Sequence, residues 1–94
     1  MADVFRALAD PTRRLILDEL ALRDGLTLFE ICTRLAMLHG STSTRQAISQ
    51  HLAVLEEAEL VRSHRLGRTK IHHLNTEPLR SILERWPLDR SESS

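Results

Sequence analysis

Arg45, Gln46, Ser49 and Gln50 fall on the polar side of a run whose other side is apolar, and Arg65, Arg68 and Lys70 follow around a single glycine. These residue types suit recognition better than catalysis. Glutamine and arginine can each bond two atoms of one base edge, and serine is short enough to let a helix approach a groove closely. Arginine and lysine nearby can meet phosphate or enter the adjacent minor groove. His51, on the same run, suits a phosphate contact or a packing role. The chemistry on offer is the reading of double-stranded DNA, with no bond made or broken.

Other reactive groups are sparse. Cys32 is the single cysteine, so an internal disulfide or a four-thiolate zinc site is excluded. It lies in an apolar helical face, where it reads as a small buried hydrophobe. A nucleophilic Cys32 beside a histidine is the enzyme alternative, and no enzyme is expected. The histidines are His39, His51, His64, His72 and His73. His72 and His73 are neighbours on a strand, point to opposite faces and cannot chelate one metal together. A sensor built from His64, His72 and His39 is the only metal arrangement worth naming, and the expectation is no metal and no cofactor.

These side chains need elements to hold them. Val4, Phe5 and Leu8 make a short amphipathic segment over 3–9. Asp10-Pro11 suits an N-cap followed by a first helical residue, and the helix it opens carries Leu15, Ile16, Leu17, Leu20 and Leu22 and should stop at Gly25. Arg13 and Arg14 near its start read as a solvated face or as a phosphate contact from the domain edge. Thr27-Leu28-Phe29-Glu30 is a capping box opening a third helix with Phe29, Ile31, Leu35 and Leu38. His39–Thr44 reads as a loop, with a second box over Ser43–Gln46. The next helix runs from about Arg45 to Ala58, with Ile48, Leu52 and Leu55 as its buried stripe. The period then changes: Leu60–Arg65 and Lys70–Leu74 are strands joined by a turn over Leu66–Thr69. A last helix starts at Pro78, carries Leu79, Ile82, Leu83 and Trp86, and ends at Pro87. The fold class is therefore mainly α with a small β-hairpin, a winged helix-turn-helix.

Length and composition agree. Ninety-four residues, 41% hydrophobic and 28% charged, make one globular domain over 1–94, with a flexible tail over 88–94. There is no apolar run of the ~18 residues a membrane span needs, no secretory leader is expected, and the compartment implied is a reducing cytoplasm. Thirteen basic and thirteen acidic residues cancel, but not locally. Residues 60–76 hold Arg62, Arg65, Arg68 and Lys70 and no acid, while Glu56, Glu57 and Glu59 precede them. A basic stripe on a neutral chain still meets phosphate, and the acids limit non-specific sticking.

The segments ALADPTRRLILDEL, AISQHLAVLEEAELVRSHRLGR and KIHHLN resemble bacterial ArsR/SmtB-type winged-helix repressors over roughly Phe5 to Trp86. The resemblance implies a homodimer bound to a near-palindromic DNA operator. It implies a recognition helix over about 44–58, with DNA contacts from Thr44, Arg45, Gln46, Ser49, Gln50 and His51, and a wing over about 62–73 using Arg65, Arg68 and Lys70. It implies a dimer interface from the first and last helices, with Phe5, Leu8, Leu79, Ile82, Leu83 and Trp86. Two departures stand out. The positions matching the family's paired-cysteine metal site are Thr27 and Phe29, and no histidine follows His73 to form its last-helix site. The turn before the recognition helix is also longer, around Leu38–Ser43. An effector, if there is one, is not legible. The competing reading is a winged-helix adaptor that binds protein, compatible with zero net charge and the acidic run at 56–59.

Overall fold

The computed structural model describes residues 3–89; residues 90–94 of the expected tail lie outside the described residues. Seven elements follow in order: α1 (Val4–Leu8), α2 (Pro11–Leu22), α3 (Leu28–His39), α4 (Arg45–Glu57), β1 (Val61–Leu66), β2 (Thr69–Leu74) and α5 (Glu77–Arg85).

Local chemistry sets most of the boundaries. Asp10 caps α2 by accepting the backbone N–H groups of Thr12 at 2.8 Å and Arg13 at 3.2 Å, with Pro11 next. Thr27 and Glu30 form the reciprocal box that opens α3, at 2.9 and 3.1 Å. Helix α2 stops at Leu22 rather than at Gly25, because Arg23 is already extended. Gly25 instead shapes the following turn with φ of 79°. The turn before α4 also differs from expectation. Leu38 and His39 stay helical and Gly40, at φ 63°, ends α3, so only Gly40–Thr44 separate the two helices. At the far end of α4, Glu59 takes φ 62°, a costly conformation for a side chain with a Cβ. It is held there by a Schellman closure, in which the Leu60 N–H reaches the Leu55 carbonyl and the Glu59 N–H the Glu56 carbonyl, both at 2.9 Å.

One core joins these elements. Ile16 and Leu20 from α2, Ile31 and Leu35 from α3, and Ile48, Leu52 and Leu55 from α4 are buried, together with Leu26, Leu60 and Val61. Every third or fourth residue of each helix faces inward, as the 3.6-residue period requires. Leu22, at the end of α2, is 76% exposed and does not join them.

A charged residue sits within this packing. Glu19 is 2% exposed, and its carboxylate accepts Arg34 Nε at 2.7 Å and faces His39 Nε2 at 2.9 Å. The pair ties α2 to both ends of the second half of α3. The His39 bond holds the Glu19 carboxyl below its ordinary value; burial pushes the other way, and Arg34 adds to the lowering. A carboxyl lowered on folding contributes stability above its unfolded value and loses it as pH falls through the folded value. We predict that Glu19→Gln lowers stability at pH 7 by about 2 kcal/mol. The deficit should shrink on acidification below about pH 4.5, the ordinary glutamate value. Urea unfolding followed by circular dichroism across pH measures this, and a constant deficit down to pH 2.5 would refute it.

Candidate nucleic-acid interface

The buried stripe of α4 turns its opposite side outward. Gln46, Ser49 and Gln50 are exposed, as is Arg45 at the first helical position. None of these four makes a side-chain hydrogen bond within the described residues, so their polar groups are free to bind something else. Thr44 is different: it is the N-cap of α4, and its hydroxyl accepts the Ala47 N–H at 3.0 Å. The capping box expected over Ser43–Gln46 is not formed, because the helix begins one residue later and its third position is Ala47, whose methyl group cannot accept a hydrogen bond. His51 also differs from its neighbours. It is half-buried, and its Nδ1 lies 3.2 Å from Arg13 Nη1.

Strands β1 and β2 form the wing, an antiparallel hairpin pairing Val61 with Leu74 through to Leu66 with Thr69. Gly67, at φ 65°, and Arg68 make the connection. Two strands alone are marginal in water, and three attachments hold this hairpin to the helices. Leu26 and His72 exchange backbone hydrogen bonds at 2.8 and 3.1 Å. Asp24 accepts the Leu74 N–H at 2.9 Å and faces His73 Nδ1 at 2.8 Å. Glu56 of α4 accepts the Ser63 hydroxyl and Lys70 Nζ, the latter at 3.2 Å. Burial pushes the Glu56 carboxyl up, yet these two bonds hold it below its ordinary value.

The last attachment splits the wing's cations. Lys70 is committed to an ion pair with α4, whereas Arg65 and Arg68 are exposed and make no such contact among the described residues. A groove of about 550 Å³ runs between the start of α3, the outer face of α4 and the wing, and Arg45, Ser49, Arg65, Arg68 and Lys70 line it. Its charge suits a polyanion, and its walls carry both uncharged hydrogen-bonding side chains and cations. A polar helix face beside a basic hairpin, each anchored to one rigid core, is what a major-groove reader with a backbone clamp requires.

Comparison with known proteins agrees. Residues 8–64 match a family described as a helix-turn-helix domain. The chain is 51% identical over 83 residues to the HTH-type transcriptional regulator YuzN of Bacillus subtilis, covering 88% of this chain and 90% of that protein. It is 36% identical over 89 residues to the transcriptional repressor SdpR of the same organism, covering 95% and 90%. Among solved structures, an ArsR-like transcriptional regulator from Rhodococcus sp. RHA1 superposes with a TM-score of 0.74 at 33% identity, over 87% of this chain and 69% of that one.

The chain belongs to the ArsR-type family of winged helix-turn-helix transcriptional regulators. It is a DNA-binding regulator of transcription, and its relatives are regulators rather than enzymes. No helix among the described residues is long and apolar enough to cross a membrane.

Against the ArsR-type pattern, Thr27 is occupied as the α3 cap, and Phe29 stands 68% exposed beside it. The histidines divide between separate places. His72 is buried and donates Nδ1–H to the Leu26 carbonyl at 3.0 Å, and burial lowers its proton affinity. His39, at the end of α3, faces Glu19 of α2. His73, on the other face of β2, lies with Nε2 3.0 Å from His64 Nδ1 and is backed by Asp24. The sensor considered from His64, His72 and His39 is thus not assembled: His64 and His72 lie on opposite faces of the wing, and His39 is on α3 beside Glu19. Among the described residues no three histidine, cysteine or acidic groups converge on one point. Cys32 is half-buried against the core, and burial pushes its thiol up while Arg45 acts the other way. A raised thiol is a poor nucleophile. A thiol reagent at pH 7 should label it at least about tenfold more slowly in the native chain than in urea, and equal rates would contradict this burial.

Helix α5 has no buried residue, although Leu79, Ile82 and Leu83 share one side of it. Leu79 is half-buried against the core, as is Leu8 of α1, so these two serve the protomer's own packing. Leu83 is 49%, Trp86 54% and Phe5 52% exposed, and the Phe5 and Trp86 rings meet edge to face at 6.2 Å. Helices α1 and α5 thus present a joint apolar surface.

Arg13 and Arg14 are where sequence reasoning missed most. Neither is simply a solvated cation: Arg13 reaches the Ala7 and Arg6 carbonyls, and Arg14 the Leu8 carbonyl, at the end of α1. The available signal was a five-residue helix ending just before two arginines, whose free carbonyls need donors.

Proposed function

We propose that this regulator is a homodimeric repressor that reads a near-palindromic operator with α4 and the wing, and that it does not answer to metal through the family's usual sites. The observation carrying the reading is the unpartnered polar face of α4, with Arg45, Gln46, Ser49 and Gln50, of which Arg45 and Ser49 line the basic groove beside the wing. Ser49 lets the backbone approach, Gln46 and Gln50 match adenine edges, Arg45 matches guanine or phosphate, and Arg65 and Arg68 clamp the strand beside the major groove. Thr44 and Lys70 support this surface, one as the helix cap and one as the link to Glu56. Two protomers joined through Phe5, Leu83 and Trp86, with Ile82, Leu79 and Leu8 behind them, would present two α4 helices to successive major grooves one turn apart. The name of SdpR as a repressor supports the sign of the regulation. DNA lies in the reducing cytoplasm, where an unpaired Cys32 is at home.

Selection from random-sequence DNA tests the proposal, run with zinc, with chelator and at two salt concentrations. Enrichment of an inverted repeat, unaffected by zinc, is the expected result. Weak, salt-sensitive binding without enrichment would reduce the wing to non-specific electrostatics and favour the protein-adaptor reading.

A further inference from the structure

We propose that Arg13 is a positioning residue for DNA recognition: it fixes the tautomer of His51, so that α4 offers a neutral Nε2–H donor to an oxygen or nitrogen acceptor on DNA. The inference rests on the DNA reading above and adds to it a residue from outside the recognition helix.

Three bonds carry the argument. Arg13 Nε donates to the Ala7 carbonyl at 2.8 Å and Nη2 to the Arg6 carbonyl at 3.1 Å, which pins the guanidinium plane against the end of α1. Its Nη1 then lies 3.2 Å from His51 Nδ1. A guanidinium has donors only, so Nδ1 must be the acceptor. A neutral imidazole with an accepting Nδ1 carries its proton on Nε2. His51 is half-buried, which restrains the ring, and it follows Gln50 on α4. Gln46, Ser49 and Gln50 bond to either donors or acceptors; His51 held this way, like Arg45, bonds only through N–H, a feature that suits phosphate oxygen or a purine N7. The anchor is also informative: the carbonyls that hold Arg13 belong to α1, the helix carrying Phe5.

Two measurements test the proposal. A long-range proton–nitrogen spectrum of the wild-type chain at neutral pH reports the tautomer directly and needs no variant. The Nε2–H form is expected for His51, and the Nδ1–H form would overturn the proposal. The second is a double-mutant cycle on the selected operator. Arg13→Gln should lower affinity about tenfold in the wild-type background. In a His51→Gln background, where the carboxamide presents an N–H near the Nε2 position without help, the same change should cost less than about twofold. Equal losses in both backgrounds would mean that Arg13 only anchors α1, and would overturn the proposal. Failure of the wild type to select any operator is seen before a variant is made; it removes the DNA reading, and the donor role with it, whatever the spectrum shows.

Discussion

Reversing the charge of Arg65 and Arg68 together should reduce operator affinity by at least about a hundredfold while leaving the fold unchanged. Both side chains are exposed at the wing and make no hydrogen bond or ion pair with the described residues. Their replacement therefore removes nothing from the core, and surface changes of this kind usually shift stability by less than about 0.5 kcal/mol. At the DNA the change is large, because two counterion-releasing contacts become two repulsions. The slope of log affinity against log salt should fall by about 2 per protomer. Fluorescence anisotropy on the selected operator between low and physiological salt measures both quantities. Affinity within about threefold of wild type would place the wing away from DNA. Lys70 is a poorer choice for this experiment, since its ion pair with Glu56 couples any substitution to the wing's attachment.

Leu83→Asp should convert the protein to a monomer and cost the full operator at least about a hundredfold in affinity. Helix α5 leaves most of its apolar side uncovered in the protomer. Helix α5 carries Leu79, Ile82 and Leu83 on one side, yet none is fully buried in the protomer, and Trp86 and Phe5 extend the same surface. An apolar surface rimmed by charge, here Arg80 and Glu84, marks a contact site. A carboxylate placed at its centre would be desolvated without a partner in a dimer and harmless in a monomer. Sedimentation should give twice 10.8 kDa for the wild type and 10.8 kDa for the variant. The half-site affinity of the variant should survive, because α4 is untouched, whereas the gain from linking two half-sites is lost. A wild type that sediments at 10.8 kDa would end the dimer proposal.

Much of this architecture was legible before any coordinates, and the reasons are local. The Asp10-Pro11 and Thr27–Glu30 caps depend on side chains bonding backbone groups two or three residues away, so their spacing alone identifies them. Ile48, Leu52 and Leu55 repeat at the helical period because one face of α4 must meet the core. The two strands and the glycine between them follow from the change of period after Leu60. Errors gathered where two local signals compete. Ser43 and Thr44 are both good caps, and only the path of the chain from Gly40 selects Thr44. Gly25 looked like a helix stop, but Arg23 had already left the helix, and the glycine was needed for the turn beside the His73 ring, 3.5 Å from where its Cβ would lie.

Residue type and short-range spacing alone specify the element order, the polar face of α4, the basic wing and the family pattern. How the charged groups are shared out depends on the packing of the folded chain. Glu19 is buried because Arg34 and His39 close over it from α3. Lys70 reads like Arg65 and Arg68 until Glu56 claims it. Arg13 reads as a surface cation until α1 folds back to supply two carbonyls and α4 brings His51 alongside. In each case at least one partner is far along the chain. A charge has no periodicity to announce its partner, and its role is set by which distant dipole or ion the packed core brings within about 3 Å.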